Sequence, residues 1–254
     1  MKSENKIQTQ QLKDQNDDFC RFDAVVIPPT NTFENIDCME MLRKCPPKYF
    51  DLAIVDPPYG LGKRTVKGGT EKNTQTKFID DLHRTNWDDS PPPQEYFEQL
   101  FRTSKNQIIF GGNYFGLPKH RCFIVWDKLT FIPTMSRVEQ AWTSFDSPAR
   151  LITINSNNPN RIHPTEKPIE LYRQILKEFA AAGDLILDTH VGSGSSIIAC
   201  IEGGFNYYGC EIDKEYYEAA KKRIGRAFRR YELFENEAVV KLTALPIKRN
   251  GQNL

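Results

Sequence analysis

Residues Leu52-Ala53-Ile54-Val55 form an unbroken apolar run that stops at Asp56-Pro57-Pro58-Tyr59. A short apolar run bounded by turn formers reads as a strand buried on both faces, as in a parallel sheet covered by helices. Prolines lock φ and cannot donate to a ladder, so the strand ends there and the turn after it is rigid. Open α/β sheets place their ligands at that carboxyl edge. A carboxylate beside a bare proline carbonyl makes a paired acceptor for an amino group, and Tyr59 offers a flat face to a flat substrate.

The rest of the chain alternates apolar runs with amphipathic stretches. Strands are predicted at 33–36, 52–55, 107–110, 122–126, 140–145, 185–187 and 207–209. Helices are predicted at 38–44, 95–103, 169–182, 195–202 and 214–230. Asp37 stands where it caps the first helix, prolines 91–93 precede the second, and Gly183 reads as the stop of the third. This alternation predicts an α/β, doubly wound, Rossmann-like fold with a mostly parallel sheet and helices on both faces. At 254 residues one large domain fits, here 19–230, preceded by a polar tail at 1–18 and followed by an extension at 231–254.

A second site is written in Leu185-Ile186-Leu187-Asp188-Thr189-His190-Val191-Gly192-Ser193-Gly194-Ser195: strand, glycine turn, helix start. Gly192 and Gly194 let the backbone approach a ligand at the helix's amino end. Glu211, 17 residues beyond Gly194, ends the next strand, where an acid commonly holds ribose hydroxyls. NAD and S-adenosylmethionine both suit such a turn. The third glycine of a dinucleotide fingerprint is replaced by Ile197, so a pyrophosphate has no evident cradle. S-adenosylmethionine carries no phosphate and needs none.

Further segments complete a set. Ile162-His163-Pro164-Thr165-Glu166-Lys167-Pro168 precedes the helix that leads to the glycine strand; Asp37-Cys38 precedes the acid-proline strand; Val125-Trp126-Asp127-Lys128 and Glu139-Gln140-Ala141-Trp142 lie between. Over about residues 33–225 this set resembles the beta group of DNA amino-methyltransferases, which methylate an exocyclic amine of a nucleobase. The acid-proline turn comes first and the glycines last, the circularly permuted order of that group.

The resemblance implies a seven-stranded, mainly parallel sheet with one reversed strand near the end, S-adenosylmethionine as cofactor and double-stranded DNA as partner. Asp56, Pro57, Pro58 and Tyr59 would form the catalytic turn. Asp37 and Cys38 would contact the cofactor's adenine, and His163, Thr165 and Lys167 its methionine end. Asp56, Asp188, His190, Gly192, Ser193, Gly194, Ser195 and Glu211 complete the cofactor set. An Asp in the first position mostly accompanies adenine in this family. Cytosine 4-amino or RNA adenine methylation and a non-catalytic cofactor-binding module are the alternatives. The family's usual Pro-Phe is replaced by Thr189-His190, so an imidazole stands where a phenyl ring packs on the cofactor.

The net charge of +1 gives no global signal for nucleic acid, so basic contacts must be local. The segment 60–90 is poor in apolar residues, and between Gly60 and Lys77 it carries Lys63, Arg64, Lys67, Lys72 and Lys77 against Glu71 alone. It is expected to be a mobile loop contacting phosphates. A short target-recognition region is expected at 146–162, where Arg150, Arg161 and four asparagines gather, with Arg137 just before it. The basic run of the last helix reads first as a solvated face. Six cysteines without a Cys-x-x-Cys pair signal neither zinc nor a redox motif. Free thiols, no leader and no long apolar segment lead us to expect a cytoplasmic, nucleoid-associated protein with no metal and no membrane span. Monomer and homodimer are both left open.

Overall fold

The computed structural model describes residues 25–61, 88–130, 136–158, 161–163 and 165–243, with side chains as far as residue 233. Among these, eight strands form one sheet: β1 (Thr32–Asn35), β2 (Phe50–Val55), β3 (Ser104–Phe110), β4 (Phe123–Asp127), β5 (Val138–Thr143), β6 (Arg150–Thr153), β7 (Leu185–Asp188) and β8 (Asn206–Glu211). Their order is β1-β8-β7-β2-β3-β5-β4-β6. Every neighbouring pair is parallel except those of β5, which runs antiparallel to both β3 and β4. The helices are α1 (Cys38–Lys44), α2 (Gln94–Thr103), α3 (Ile169–Phe179), α4 (Ser195–Gly203) and α5 (Lys214–Thr243).

The pleat of β2 explains how one apolar run serves two cores. Successive side chains of a strand point to opposite faces. Leu52 and Ile54 pack with Ile108, Phe110 and Ile186 against Leu171, Tyr172, Ile175 and Leu176 of α3. Ala53 and Val55 pack on the other face with Ile109, Leu185 and Leu187 against Leu42 of α1 and Tyr96, Phe97 and Leu100 of α2. A smaller cluster joins Ile197, Ile198 and Ile201 of α4 to Ala220 and Ile224 of α5. Each fully buried Leu or Ile contributes about 1.5–3 kcal/mol, so a polar residue at Leu52 or Ile54 would break the layer.

The strand order reverses at one place. From β2 the chain passes through α2 to β3 on one side, and from β7 through α4 to β8 on the other. β2 and β7 are neighbours, with Ala53 opposite Leu187. A crevice therefore opens between their carboxyl ends, the switch point at which such sheets bind ligands. Asp56 leaves β2 and Asp188 ends β7 at this point.

The fold class predicted from sequence is the one observed, with the strand count one higher. The missed strand is β6, inside the segment expected to be a short target-recognition region. Only Ile152 of its four residues is buried, a periodicity too short to register. Two helix ends also move. α3 stops at Phe179, short of 182, and Gly183, at φ +88°, lies in the turn beyond it. α5 runs past Arg230 to Thr243 without a break.

Candidate active site

Val55 is the last residue of β2, and Asp56 follows it into the proline turn. Pro57 is buried. Past it, the backbone amides of Tyr59 and Gly60 both donate to Asp88 Oδ1, at 2.6 and 2.9 Å. Asp88 thereby clamps the two ends of the long segment that leaves at Gly60. Tyr59 is seated against Gly111 after β3: a Cβ there would lie 2.2 Å from the ring, and φ is +69°. Tyr59 stacks on Tyr114 with centroids 5.0 Å apart, and its hydroxyl donates to Asp56 Oδ1 at 2.7 Å.

The second oxygen of Asp56 accepts from Lys167. Lys167 is almost wholly buried, its side chain 3% exposed. Its Nζ also stands 3.3 Å from Glu139 Oε2, while Glu139 Oε1 pairs with Lys128 Nζ at 2.6 Å. Four charges thus alternate in sign from Lys128 through Glu139 and Lys167 to Asp56. Burial pushes the Asp56 carboxyl up, against the opposing pull of Lys167. Burial also acts to strip Lys167 of its proton, yet Asp56 and Glu139 together hold its pKa above the ordinary value. The ammonium lies 4.6 Å from the centroid of Phe110, adding a cation–π contact.

The glycine turn stands next to this group. Gly192 and Gly194 adopt φ of +52° and +81°, which residues with a Cβ adopt only under strain. Glu211 holds the turn down: Oε2 accepts from the Gly192 amide at 2.8 Å and Oε1 from the Asp213 amide at 2.9 Å. Asp188 accepts from the His190 amide at 3.0 Å and from the Ser196 hydroxyl. Burial pushes the Asp188 carboxyl up to about 7. Arg223 of α5 donates to the Ser193 carbonyl and Ser195 hydroxyl at 2.9 and 3.0 Å and pairs with Glu166 at 3.0 Å. It therefore ties the glycine turn to the His163 segment.

His163 lies beside Gly192, 3.6 Å from where a Cβ would stand, and packs edge-on to Tyr216. His190 lies edge-on to Tyr96 at 5.4 Å. Burial drops both imidazoles to about 4, so both rings are neutral at pH 7. Asp37 caps α1 by accepting from the Met39 amide. Cys38 follows it with a thiol pushed up to about 12 by burial, so it is no nucleophile. β1 pairs with β8, which brings Asp37, Glu211, Asp188 and Asp56 to one edge of the sheet. Such an edge, with rigid acceptors, neutral rings and a glycine turn, suits a nucleoside-like group with an amine beside it.

Comparison with known proteins gives the same picture. Residues 120–222 match the N6/N4 family described as DNA methylase. Over that stretch the chain is similar to the N6/N4 DNA methylases. The type II methyltransferase M.HpaI of Haemophilus parainfluenzae is 26% identical over 247 residues, covering 77% of this chain and 74% of that protein. YubD of Escherichia coli (strain K12) is 24% identical over 208 residues, covering 74% and 87%. Among solved structures, the cytosine-N4-specific PvuII DNA methyltransferase has a TM-score of 0.53 at 13% identity, covering 79% of this chain and 92% of that one. The M1.HpyAVI–SAM complex scores 0.50 at 21% identity, covering 76% and 98%. These two likenesses are of fold, and they place this sheet among methyltransferase folds.

The residues expected to touch DNA fare differently from those at the carboxyl edge of the sheet. Lys63, Arg64 and Lys67 lie outside the described residues. Arg137 pairs with Asp127 at 3.1 Å yet keeps 65% of its side chain exposed. Arg150 pairs with Glu178, and Arg161 donates to the carbonyls of Asn158 and Ser156. Asn155 and Asn158 are likewise engaged within the segment, with the Asn157 amide and with Glu166. Among the described residues no cluster of His, Cys, Asp and Glu could hold a metal ion, and no helix is long and apolar enough to cross a membrane. Sequence reasoning missed Asp88 altogether. It noted Glu139 and Lys128 inside motifs without giving them a task.

Proposed function

We propose that this protein transfers a methyl group from S-adenosyl-L-methionine to the 6-amino group of adenine in double-stranded DNA, on a base flipped out of the duplex. The observation that carries this reading is the adjacency of Asp56 and the glycine turn at the crevice between β2 and β7. An acceptor for an amine and a seat for a nucleoside-like cofactor are thereby brought side by side.

The residues present fit that cofactor. Glu211 is held rigid by two backbone amides, and a carboxylate with about four acceptor sites has capacity left for ribose hydroxyls. Gly194 begins α4 without a side-chain cap, so the first amides of the helix face the ligand edge as donors. Asp37 and Cys38 would hold the adenine end, His190, neutral at pH 7, would pack on the cofactor, and His163, Thr165 and Lys167 would line the methionine end. When bound, the cofactor supplies an electrophilic methyl group on a sulfonium.

The 6-amino group of adenine is a weak nucleophile because its lone pair is delocalised into the ring. Hydrogen bonds from it to Asp56 and to the Pro57 carbonyl would turn the nitrogen toward tetrahedral geometry and localise that lone pair. Methylation of that nitrogen would leave it positive and with one proton to shed. Asp56, a buried carboxylate with a raised pKa, offsets the developing positive charge and is the acceptor the site offers for that proton. Orientation and preorganised charge supply most of such a rate gain.

Flipping the base costs a few kcal/mol, and stacking on an aromatic side chain returns about 1–3 kcal/mol. Tyr59 and the half-exposed Tyr114 stacked on it form such a platform. Lys63, Arg64, Lys67, Arg137 and Arg161 are the proposed contacts to DNA. The order of the two sites along the chain is that of the permuted beta group.

Transfer of labelled methyl groups to DNA of mixed sequence, followed by mapping of the modified base, tests this reading. Label on adenine N6 supports it. Label on cytosine N4 keeps the chemistry and changes the base. Cofactor binding without transfer to DNA or RNA would overturn it in favour of a binding module.

A further inference from the structure

Among the described residues, one buried side-chain oxygen has no hydrogen-bond partner: Oε2 of Glu139. It lies 3.3 Å from Lys167 Nζ, near enough for an ion pair but without hydrogen-bond geometry. The other oxygen of Glu139 is fixed by Lys128 at 2.6 Å. Asp56, by contrast, has both oxygens engaged, Oδ1 by the Tyr59 hydroxyl and Oδ2 by Lys167. An amine arriving at Asp56 finds the carboxylate occupied and its charge offset by an ammonium.

Lys167 cannot retreat into water, because its side chain is only 3% exposed. Leaving a buried ammonium unpaired is strongly unfavourable. The acceptor within reach is Oε2 of Glu139, already its ion-pair partner but not yet hydrogen-bonded. We infer that Glu139 is a positioning residue: it receives the Lys167 ammonium as the substrate amine takes its place on Asp56. This inference rests on the proposed methyl transfer. The required shift is small, from 3.3 Å to the roughly 2.8 Å of a charge-assisted hydrogen bond. No net charge moves, since Lys128, Glu139, Lys167 and Asp56 remain two cations and two anions. The exchange returns to Asp56 its full negative charge at the nitrogen that becomes positive. Lys128 keeps Glu139 in place while this happens.

A double-mutant cycle on the full chain tests the inference. Single-turnover methyl transfer to DNA is measured for the wild type, Glu139→Gln, Lys167→Met and the double variant, with S-adenosylmethionine binding by calorimetry on each. Glu139→Gln should slow transfer by about tenfold or more while cofactor affinity holds. In the Lys167→Met background, with no ammonium to draw away, the same substitution should cost less than about threefold. Independent, multiplicative effects, or a wild-type rate in Glu139→Gln, would overturn the inference and leave the methyl transfer standing. An inactive wild type would overturn both. Should Glu139→Gln fail to bind cofactor, Glu139→Asp, which draws the carboxylate back from Lys167, enters the same cycle with the same deciding outcomes.

Discussion

Lys167 and Asp56 stand 111 residues apart in the chain and meet as a buried ion pair at the carboxyl edge of the sheet. The pair joins the segment that enters α3 to the proline turn that leaves β2. In the proposed reaction the first motif carries the cation that offsets Asp56 until an amine is bound. The glycine turn completes the edge from β7, the strand beside β2.

Gly111→Ala should disturb this edge without touching a charge. The added Cβ would stand 2.2 Å from the Tyr59 ring, at a φ of +69°. Strain in that region costs about 1–3 kcal/mol, and Tyr59 would be driven off the Asp56 oxygen. Thermal denaturation should show the loss of stability, and methyl transfer should fall further than cofactor binding. A variant with the wild-type melting temperature and rate would contradict this seating of Tyr59.

Glu211→Gln tests the acid at the end of β8. An amide can accept from only one of the two backbone donors, Gly192 and Asp213, that the carboxylate now serves. An unsatisfied buried group costs about 1–3 kcal/mol. Calorimetry should therefore show cofactor affinity reduced by roughly tenfold or more, a tenfold change being about 1.4 kcal/mol. Unchanged affinity would remove Glu211 from the cofactor site.

His190→Phe separates the ring from its proton. Burial lowers the His190 pKa from 6.5 to about 4. Between those values the unfolded chain binds a proton that the folded one refuses, so this group's effect on stability becomes increasingly unfavourable as pH falls from 6.5 to 4 and levels off below. Asp188, raised to about 7, acts with the opposite sign: the folded state binds the extra proton, which favours folding as pH falls through 7. The difference between wild-type and His190→Phe melting temperatures isolates the histidine. It should shift in favour of the variant as pH is lowered from 6.5 to 4, and cofactor binding should persist because a flat neutral ring is retained. A pH-independent difference would mean that His190 is not held neutral by burial.

Much of this edge was legible in the sequence because turns at strand ends carry local chemistry. The proline pair, the two glycines and the Asp37 cap each declare themselves within a few residues, and α1 falls at 38–44 as expected. The partners of those residues were not legible. Nothing near Asp56 in sequence points to Asp88 or Lys167, since their meeting depends on strand order and on contacts between residues far apart in the chain. β6 escaped because a four-residue edge strand with one buried side chain has no period to detect. The local partners of the Arg and Asn residues around 150–161 were not legible in the sequence either. In the fold Arg150, Arg161, Asn155 and Asn158 are engaged with neighbouring groups.

In the proposed reaction Asp56 performs the chemistry while other groups hold the cofactor. Labelled methyl transfer to DNA and S-adenosylmethionine binding, measured together for the wild type and Asp56→Ala, test it most directly. Asp56→Ala should reduce transfer by roughly 10²–10³-fold or more, as for the loss of one preorganised transition-state contact, with cofactor binding retained. Turnover by Asp56→Ala at a rate near that of the wild type would contradict it.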